Sequence, residues 1–240
     1  MAPAHLLLCM GAKRNPMQKA LEVSINLPDD TKRHVIVGST GSGKTQCGIW
    51  HLSLRDYLNM PWVIFDFKGD DLIAEIGAKE ISVNSAPPKK PGLYVVRPLP
   101  ETDDASVEAF LMKCWAQEDI GLYIDEGYMI PNDSKAFKAI LTQGRSKHIP
   151  VIVLSQRPVW LSRFVFSEAD FYQVFRLNDK RDRQTVKSFL PFDVEERLPD
   201  YHSYWYDVGN DFSQVWKPVP SKGTIIKSFR DNLRTPRTLL

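Results

Sequence analysis

The hydrophobic residues of this chain fall into short apolar runs separated by stretches whose apolar positions recur at helical spacing. HVIVG (34–38), WVIFDF (62–67), LYVVRP (93–98), IGLYID (120–125), PVIVLS (150–155) and FYQVFRL (171–177) are runs of strand length. Between them the spacing predicts helices over Lys44–Leu58, with Ile49, Leu52 and Leu54 among the apolar positions, over Asp70–Ala78 and over Ser134–Leu141. A further helix is predicted over Asp104–Gln117, where Val107, Phe110, Leu111, Cys114 and Trp115 repeat on one face. Continuous apolar strands alternating with helices imply an α/β fold, with a mostly parallel central sheet flanked by helices. LEVSINL (21–27) alternates apolar and polar residues and reads as an edge strand. After Asp182 the pattern changes. YHSYWYDV (201–208) and FSQVWKPV (212–219), joined by Gly209-Asn210-Asp211, predict a C-terminal antiparallel β-hairpin.

Composition adds constraints rather than function. The 240 residues are 43% hydrophobic and 25% charged, enough to bury a core. Lys and Arg number 31 against 29 Asp and Glu, a net charge of +2 that neither demands nor excludes nucleic acid, because local patches matter more than the sum. Cys9, Cys47 and Cys114 are far apart and lack metal-type spacing, so no disulfide framework is expected and a reducing cytosol fits. The apolar HLLLCMG at the N-terminus is too short to cross a bilayer, and no membrane insertion is expected. With no repeat and no separating linker, we expect one domain over 1–240: an extension to residue 33, a nucleotide-binding core over 34–180, and a hairpin with a basic tail over 181–240.

Two motifs carry chemistry. GSTGSGKT (38–45) follows a predicted strand and opens a predicted helix, the context a phosphate-binding loop requires. Gly38, Ser39, Thr40, Gly41, Ser42 and Gly43 would wrap backbone N–H groups around phosphate, and the helix start at Lys44, Thr45 and Gln46 adds a favourable dipole. Lys44 would reach the β- and γ-phosphates of ATP, and Thr45 would give its hydroxyl to Mg²⁺. GLYIDEGYM (121–129) ends a predicted strand in two carboxylates: Asp125 for the Mg²⁺ shell and Glu126 to polarise the attacking water. That pair points to hydrolysis rather than transfer to a small acceptor. At the end of PVIVLS, Gln156 has the type and place of a γ-phosphate sensor, with Ser155 a weaker candidate. Arg145, at the other end of that strand, suits a neighbouring subunit's nucleotide better than its own. Arg157 could pack against the strand end or pair with an acid, and its role stays open.

QGRSKHIPVIVLSQRP (143–158) resembles the segment of FtsK–HerA ATPases in which an arginine leads into a strand ending Thr/Ser-Gln-Arg-Pro. FDFKGDD (65–71) is similar to the Asp-x-Lys element of the same family, which places Asp66 and Lys68 near the nucleotide or a subunit interface. The resemblance covers about residues 34–160. Neither the membrane helices and winged helix of full-length FtsK nor the N-terminal barrel of HerA is matched. A chain of this size looks most like the genome-packaging ATPases of tailless, membrane-containing double-jelly-roll viruses. That resemblance implies a RecA-like P-loop NTPase of the additional-strand, catalytic-glutamate type, acting as a homo-oligomeric ring (a hexamer or pentamer). It also implies hydrolysis between subunits, double-stranded DNA as cargo, capsid or portal-vertex components as partners, and the host cytoplasm as the place of action. The alternatives are a Zot-like assembly or secretion factor and a plasmid DNA-transfer motor. Candidate DNA contacts are Lys135 and Lys138, then Arg176, Lys180, Arg181 and Arg183, and the basic tail from residue 221 as an arm to DNA or a neighbour. The tryptophan-rich hairpin reads as core or interface, PPKK (87–90) as a surface turn, and the five histidines show no ligand spacing.

Overall fold

A computed structural model describes residues 26–234. In chain order the elements are β1 (Arg33–Val37), α1 (Lys44–Ser53), β2 (Pro61–Asp66), α2 (Asp71–Glu75), β3 (Lys79–Glu80), β4 (Gly92–Val96), α3 (Asp104–Gln117) and β5 (Gly121–Asp125). They continue as α4 (Lys135–Gln143), β6 (Val151–Ser155), α5 (Arg163–Ser167), β7 (Phe171–Val174), α6 (Lys180–Lys187), β8 (Ser203–Asp207), β9 (Phe212–Trp216) and α7 (Lys222–Arg234). The described strands form one nine-stranded sheet in the order β3-β4-β2-β5-β6-β1-β7-β8-β9. Pairing is parallel from β3 to β7 and antiparallel from β7 through β8 to β9.

The period-2 geometry of strands sorts the core into two layers. Val35, Val37, Val63 and Phe65 face one side with Phe110, Leu111, Ile140 and Leu141 of α3 and α4. Ile36, Ile64, Ile152 and Leu154 face the other with Ile49 and Leu52 of α1. The sequence therefore reads as continuous apolar runs because both faces are covered. Side chains fix the helix starts: Asp70 accepts from the Leu72 N–H, Ser134 from the Phe137 N–H and Asp179 from the Arg181 N–H. The hairpin is anchored by aromatic packing. Trp205 and Trp216 stack with ring centroids 4.3 Å apart, and the buried His51 ring of α1 stacks on both. Burial above all pushes the His51 pKa down to about 3, so the ring is neutral and packs as an apolar group that keeps one polar contact, 2.8 Å to Gln173 Oε1.

Several boundaries differ from the sequence reading. The helix expected to reach Leu58 stops at Ser53, because the Leu54 N–H turns back to the His51 carbonyl and the buried Arg55 is drawn to the carbonyls of Pro28 and Asp29. Leu54 is 51% exposed and takes no part in the core. The helix over 70–78 is confined to Asp71–Glu75, and the strand expected to reach Leu177 ends at Val174, where the chain turns over the glycine loop. Most of the expected strand over 21–27 lies outside the described residues, and Asn26 and Leu27 are not in a strand. Helix α6 and the short strand β3 were not expected. The basic tail read as an arm to DNA or a neighbour is, as far as Arg234, a helix docked on α1 and α2. Its amphipathic spacing buries Ile225, Ile226 and Phe229 while its charges face out. Phe229 is fully buried and stacks on Tyr57 at 5.6 Å. Truncating it in Phe229→Ala should cost about 3–5 kcal/mol, read as a lower midpoint in urea or thermal unfolding.

Candidate nucleotide site

The site lies where the carboxyl ends of β1, β5 and β6 meet, with β6 inserted between the strand that feeds the glycine loop and the strand that ends in the acidic pair. Residues 38–43 leave β1 and turn directly into α1. Gly43 is the N-cap with φ 94°, a left-handed backbone that side-chain-bearing residues rarely adopt. Gly38 is needed for a different reason: a Cβ there would stand 2.6 Å from both Phe175 Cβ and Ser42 Oγ. The loop is pinned from both sides. Gly38 N–H donates to the Ser155 carbonyl (3.2 Å), Ser39 N–H to the Arg176 carbonyl (2.9 Å), and Ser39 Oγ accepts from Asn178 N–H (3.0 Å). The Thr40 hydroxyl donates to Gln156 Oε1 at 2.7 Å, and Gln46 Nε2 donates to the Pro220 carbonyl at 2.8 Å.

Glu126 sits at the centre. Its backbone is left-handed (φ 57°, ψ 64°), a strained state for a residue with a side chain, and its carboxylate is fully buried. Oε1 accepts from Lys44 Nζ at 3.0 Å and from Lys68 Nζ at 2.5 Å, and Oε2 accepts from the Gln156 N–H at 3.0 Å. Burial pulls its pKa upward, but the Lys44 charge, the Lys68 hydrogen bond and the Gln156 N–H outweigh it, and Glu126 ends below the ordinary carboxylate value. Asp125, one residue earlier, behaves oppositely. Burial, only partly offset by Lys44 and reinforced by the Glu126 charge, lifts its pKa to about 6. Its Oδ1 is buried and has no hydrogen-bond partner. A buried carboxylate with an unsatisfied oxygen, raised pKa and a half-buried Thr45 in the adjoining first turn of α1 fits a hard divalent cation with oxygen ligands.

The structure brings Lys44, Asp125, Glu126 and Gln156 together around the loop, with Lys68 reaching in from the end of β2. Asp66 lies beside the site but serves its architecture, accepting the N–H groups of Gly69 and Asp70 and pairing with Arg97 at 3.1 Å. Arg145 is not part of this group; it is exposed in the turn between α4 and β6, at the amino end of the strand whose carboxyl end carries Gln156. One feature escaped the sequence reading, and a second settles between alternatives left open there for Arg157. The Tyr128 hydroxyl accepts from Gln156 Nε2 at 3.1 Å, and its ring meets Trp160 edge-on at 5.5 Å. Arg157 stacks over Trp160 at 4.5 Å and pairs with Asp182 of α6 at 3.1 Å. Nothing in the spacing of these residues pointed to the contacts, which depend on the turn after β5 folding back over β6.

Glycine loop, acidic pair and intervening strand define a P-loop NTPase of the additional-strand type. No family model matches the chain. It is 47% identical over 228 residues to the DNA packaging ATPase P9 of Enterobacteria phage PRD1, spanning 90% of this chain and 100% of that protein. The chain belongs to the FtsK–HerA-like family of viral DNA packaging ATPases. Among solved structures it is similar to the genome packaging NTPase B204 of Sulfolobus turreted icosahedral virus 2 in complex with AMPPCP, with TM-score 0.63, 19% identity, and 80% of this chain and 100% of that one covered. It is also similar to EssC (ATPases 2 and 3) of Geobacillus thermodenitrificans, with TM-score 0.59, 13% identity, and 84% of this chain and 43% of that one covered. Identities this low speak for the fold alone.

The opposite shifts of the two carboxylates give a test. A folded-state pKa of about 6 for Asp125, above the ordinary aspartate value of 3.8, means that stability is lost as pH rises through that window. Asp125→Asn should therefore melt higher than the wild type at pH 7.5 in the absence of nucleotide and divalent ions. The gap should close as the pH falls below about 6. A variant that melts lower at pH 7.5 would show that the carboxylate is satisfied without a cation.

Proposed function

We propose that this chain is an ATP-hydrolysing motor that drives double-stranded DNA into a preformed viral capsid, working as a homo-oligomeric ring at the capsid's portal vertex in the host cytoplasm. The observation that carries the hydrolytic reading is the buried Glu126 carboxylate held against the phosphate-loop lysine. The assignment to packaging is supported by the 47% identity to a phage DNA packaging ATPase.

Lys44 and a polyphosphate compete for the same bond. While Lys44 pairs with Glu126, the base is spent; once the lysine turns to phosphate, Glu126 keeps Lys68 and the Gln156 N–H and regains basicity toward water. Lys68 and Gln156 thus hold the base in place as its charge partner changes. Asp125 and Thr45 would hold Mg²⁺, which supplies positive charge to the phosphates and to the otherwise unpaired Asp125 oxygen. Gln156, tied to Thr40 in the loop and to Tyr128 outside it, is the sensor of phosphate occupancy. Its contact chain runs through Tyr128 to Trp160 and Arg157, and from Arg157 to α6, where Lys180 and Arg181 are exposed. We assign the DNA-facing surface to this helix and to Lys135 and Lys138 of α4, contacting phosphates without reading sequence. Arg183 is a poorer candidate, because its guanidinium is engaged by the carbonyls of Leu177 and Asn178. Arg145 completes a neighbour's site from the amino end of the sheet.

ATPase assays with and without linear double-stranded DNA test the motor. Stimulation by DNA that fades with added salt is expected, and a rate indifferent to DNA would count against it. Glu126→Gln should lower kcat by about a hundredfold or more while nucleotide binding persists. For Arg145, the variants Arg145→Ala and Lys44→Ala should each be inactive alone and regain part of the rate when mixed. An Arg145→Ala protein of normal rate would remove the trans role.

A further inference from the structure

The phosphate loop accounts for one end of a nucleotide. The next question is where the base goes, and the surroundings of Gly43 answer it. Tyr201, in the turn before β8, stands directly over the start of α1: a Cβ built at Gly43 would meet Tyr201 Cδ1 at 3.1 Å and Cβ at 3.9 Å. Phe175 approaches the same point from the end of β7, with Cε1 at 3.8 Å. Tyr201 is nonetheless 58% exposed, so a large aromatic ring that touches the phosphate loop is left open to solvent. Its backbone is left-handed (φ 61°), a conformation costly for a bulky residue, within a turn closed by the bond from His202 N–H to the Pro199 carbonyl. A cleft of about 480 Å³ opens past Phe175, lined by Leu177, Leu198 and Tyr204 together with a polar majority that includes Arg176, Glu195, Glu196 and Arg197. Its size admits a heterocycle, and its largely polar wall offers hydrogen-bond partners to a base or ribose.

We infer that Tyr201 is the stacking platform for the nucleobase of the bound nucleotide, with the Phe175–Leu198 cleft as the space into which the base extends. This deepens the ATP-hydrolysing reading of the same site and rests on it. The phosphates gather at the N-terminus of α1, so the ribose and base must leave past the residues that flank that turn, and Tyr201 is the exposed aromatic residue there. A π-face binds any base, so the platform raises affinity for nucleosides in general and discriminates weakly among them. Glycine at position 43 leaves room for the ring to lie close to the loop.

The test is calorimetric titration of the full chain with Mg-ATP and, separately, with Mg-tripolyphosphate, which has the phosphates but no base. Tyr201→Ala should weaken ATP binding about tenfold or more and leave tripolyphosphate unchanged, while Tyr201→Phe keeps wild-type affinity for both. In kinetics, KM for ATP should rise with kcat largely preserved. Unchanged ATP affinity in Tyr201→Ala would overturn the inference. So would an equal loss for both ligands, which would mean that the ring merely shapes the loop. Wild-type protein that binds neither ligand would instead overturn the phosphate-site reading beneath it, so the two failures are distinguishable.

Discussion

The structure is organised around one buried anion. Taking the Glu126 carboxylate out of water would cost several kcal/mol if it were unpaired, so both of its oxygens must find donors. The donors come from different parts of the chain: Lys44 from the start of α1, Lys68 from the loop after β2 and the Gln156 N–H from the end of β6. These elements can meet only if β6 lies between β5 and β1, which is the order the sheet adopts. The left-handed backbone at Glu126 aims the side chain sideways toward β6 and the loop rather than onward along the strand direction. Burial, pairing and topology are therefore one constraint.

Next to it, Asp125 shows what the same burial does without donors. Both carboxylates are shielded from water and both feel Lys44, yet one is lowered and the other is raised to about 6. The difference lies in hydrogen bonds: Glu126 accepts three from side chains and backbone, whereas Asp125 has an oxygen with none. Adjacent residues at the end of one strand thus acquire opposite character, one held ionised and the other raised toward neutrality, the division that the proposed roles of base and metal ligand draw on. An arrangement built for stability alone would have given Asp125 a partner.

Much of this was legible in the sequence, for reasons that can be named. Strands buried on both faces give unmistakable apolar runs, and the phosphate loop needs glycines where side chains would collide with Phe175 or strain the backbone, so β1, β5, β6 and residues 38–45 could be read directly. Lys68 entered only through the family resemblance. Its distance from Glu126 is set by Gly69-N–H and Asp70-N–H bonds to Asp66, which spacing cannot reveal. Helix α7 was misread because its composition is that of a basic tail, and its three apolar anchors are sparse among eight polar or charged neighbours, a glycine and the exposed Leu233. Helix α1 was read too long because Leu54 continues the apolar pattern although Arg55 pulls the chain out of it.

The late elements matter because they bear on the same helix that starts the site. His51 of α1 stacks on Trp205 and Trp216 of the hairpin, α7 buries its aromatic residue against Tyr57 beyond the end of α1, and Gln46 in its first turn is tied to Pro220. Helix α1 is thereby held along its length by segments that follow the nucleotide-binding core. On the opposite side of the loop, Thr40 is held through Gln156 by Tyr128, whose ring leads out to Trp160, 51% exposed, and to Arg157, which pairs with Asp182 of α6. The two sides differ in kind. One is a packed aromatic stack that resists movement, and the other is a string of single polar and edge-on contacts that can exchange partners at small cost. On the proposed exchange of Lys44 from Glu126 to phosphate, strain would therefore leave by the second route, toward the exposed cations of α6, while α1 stays fixed.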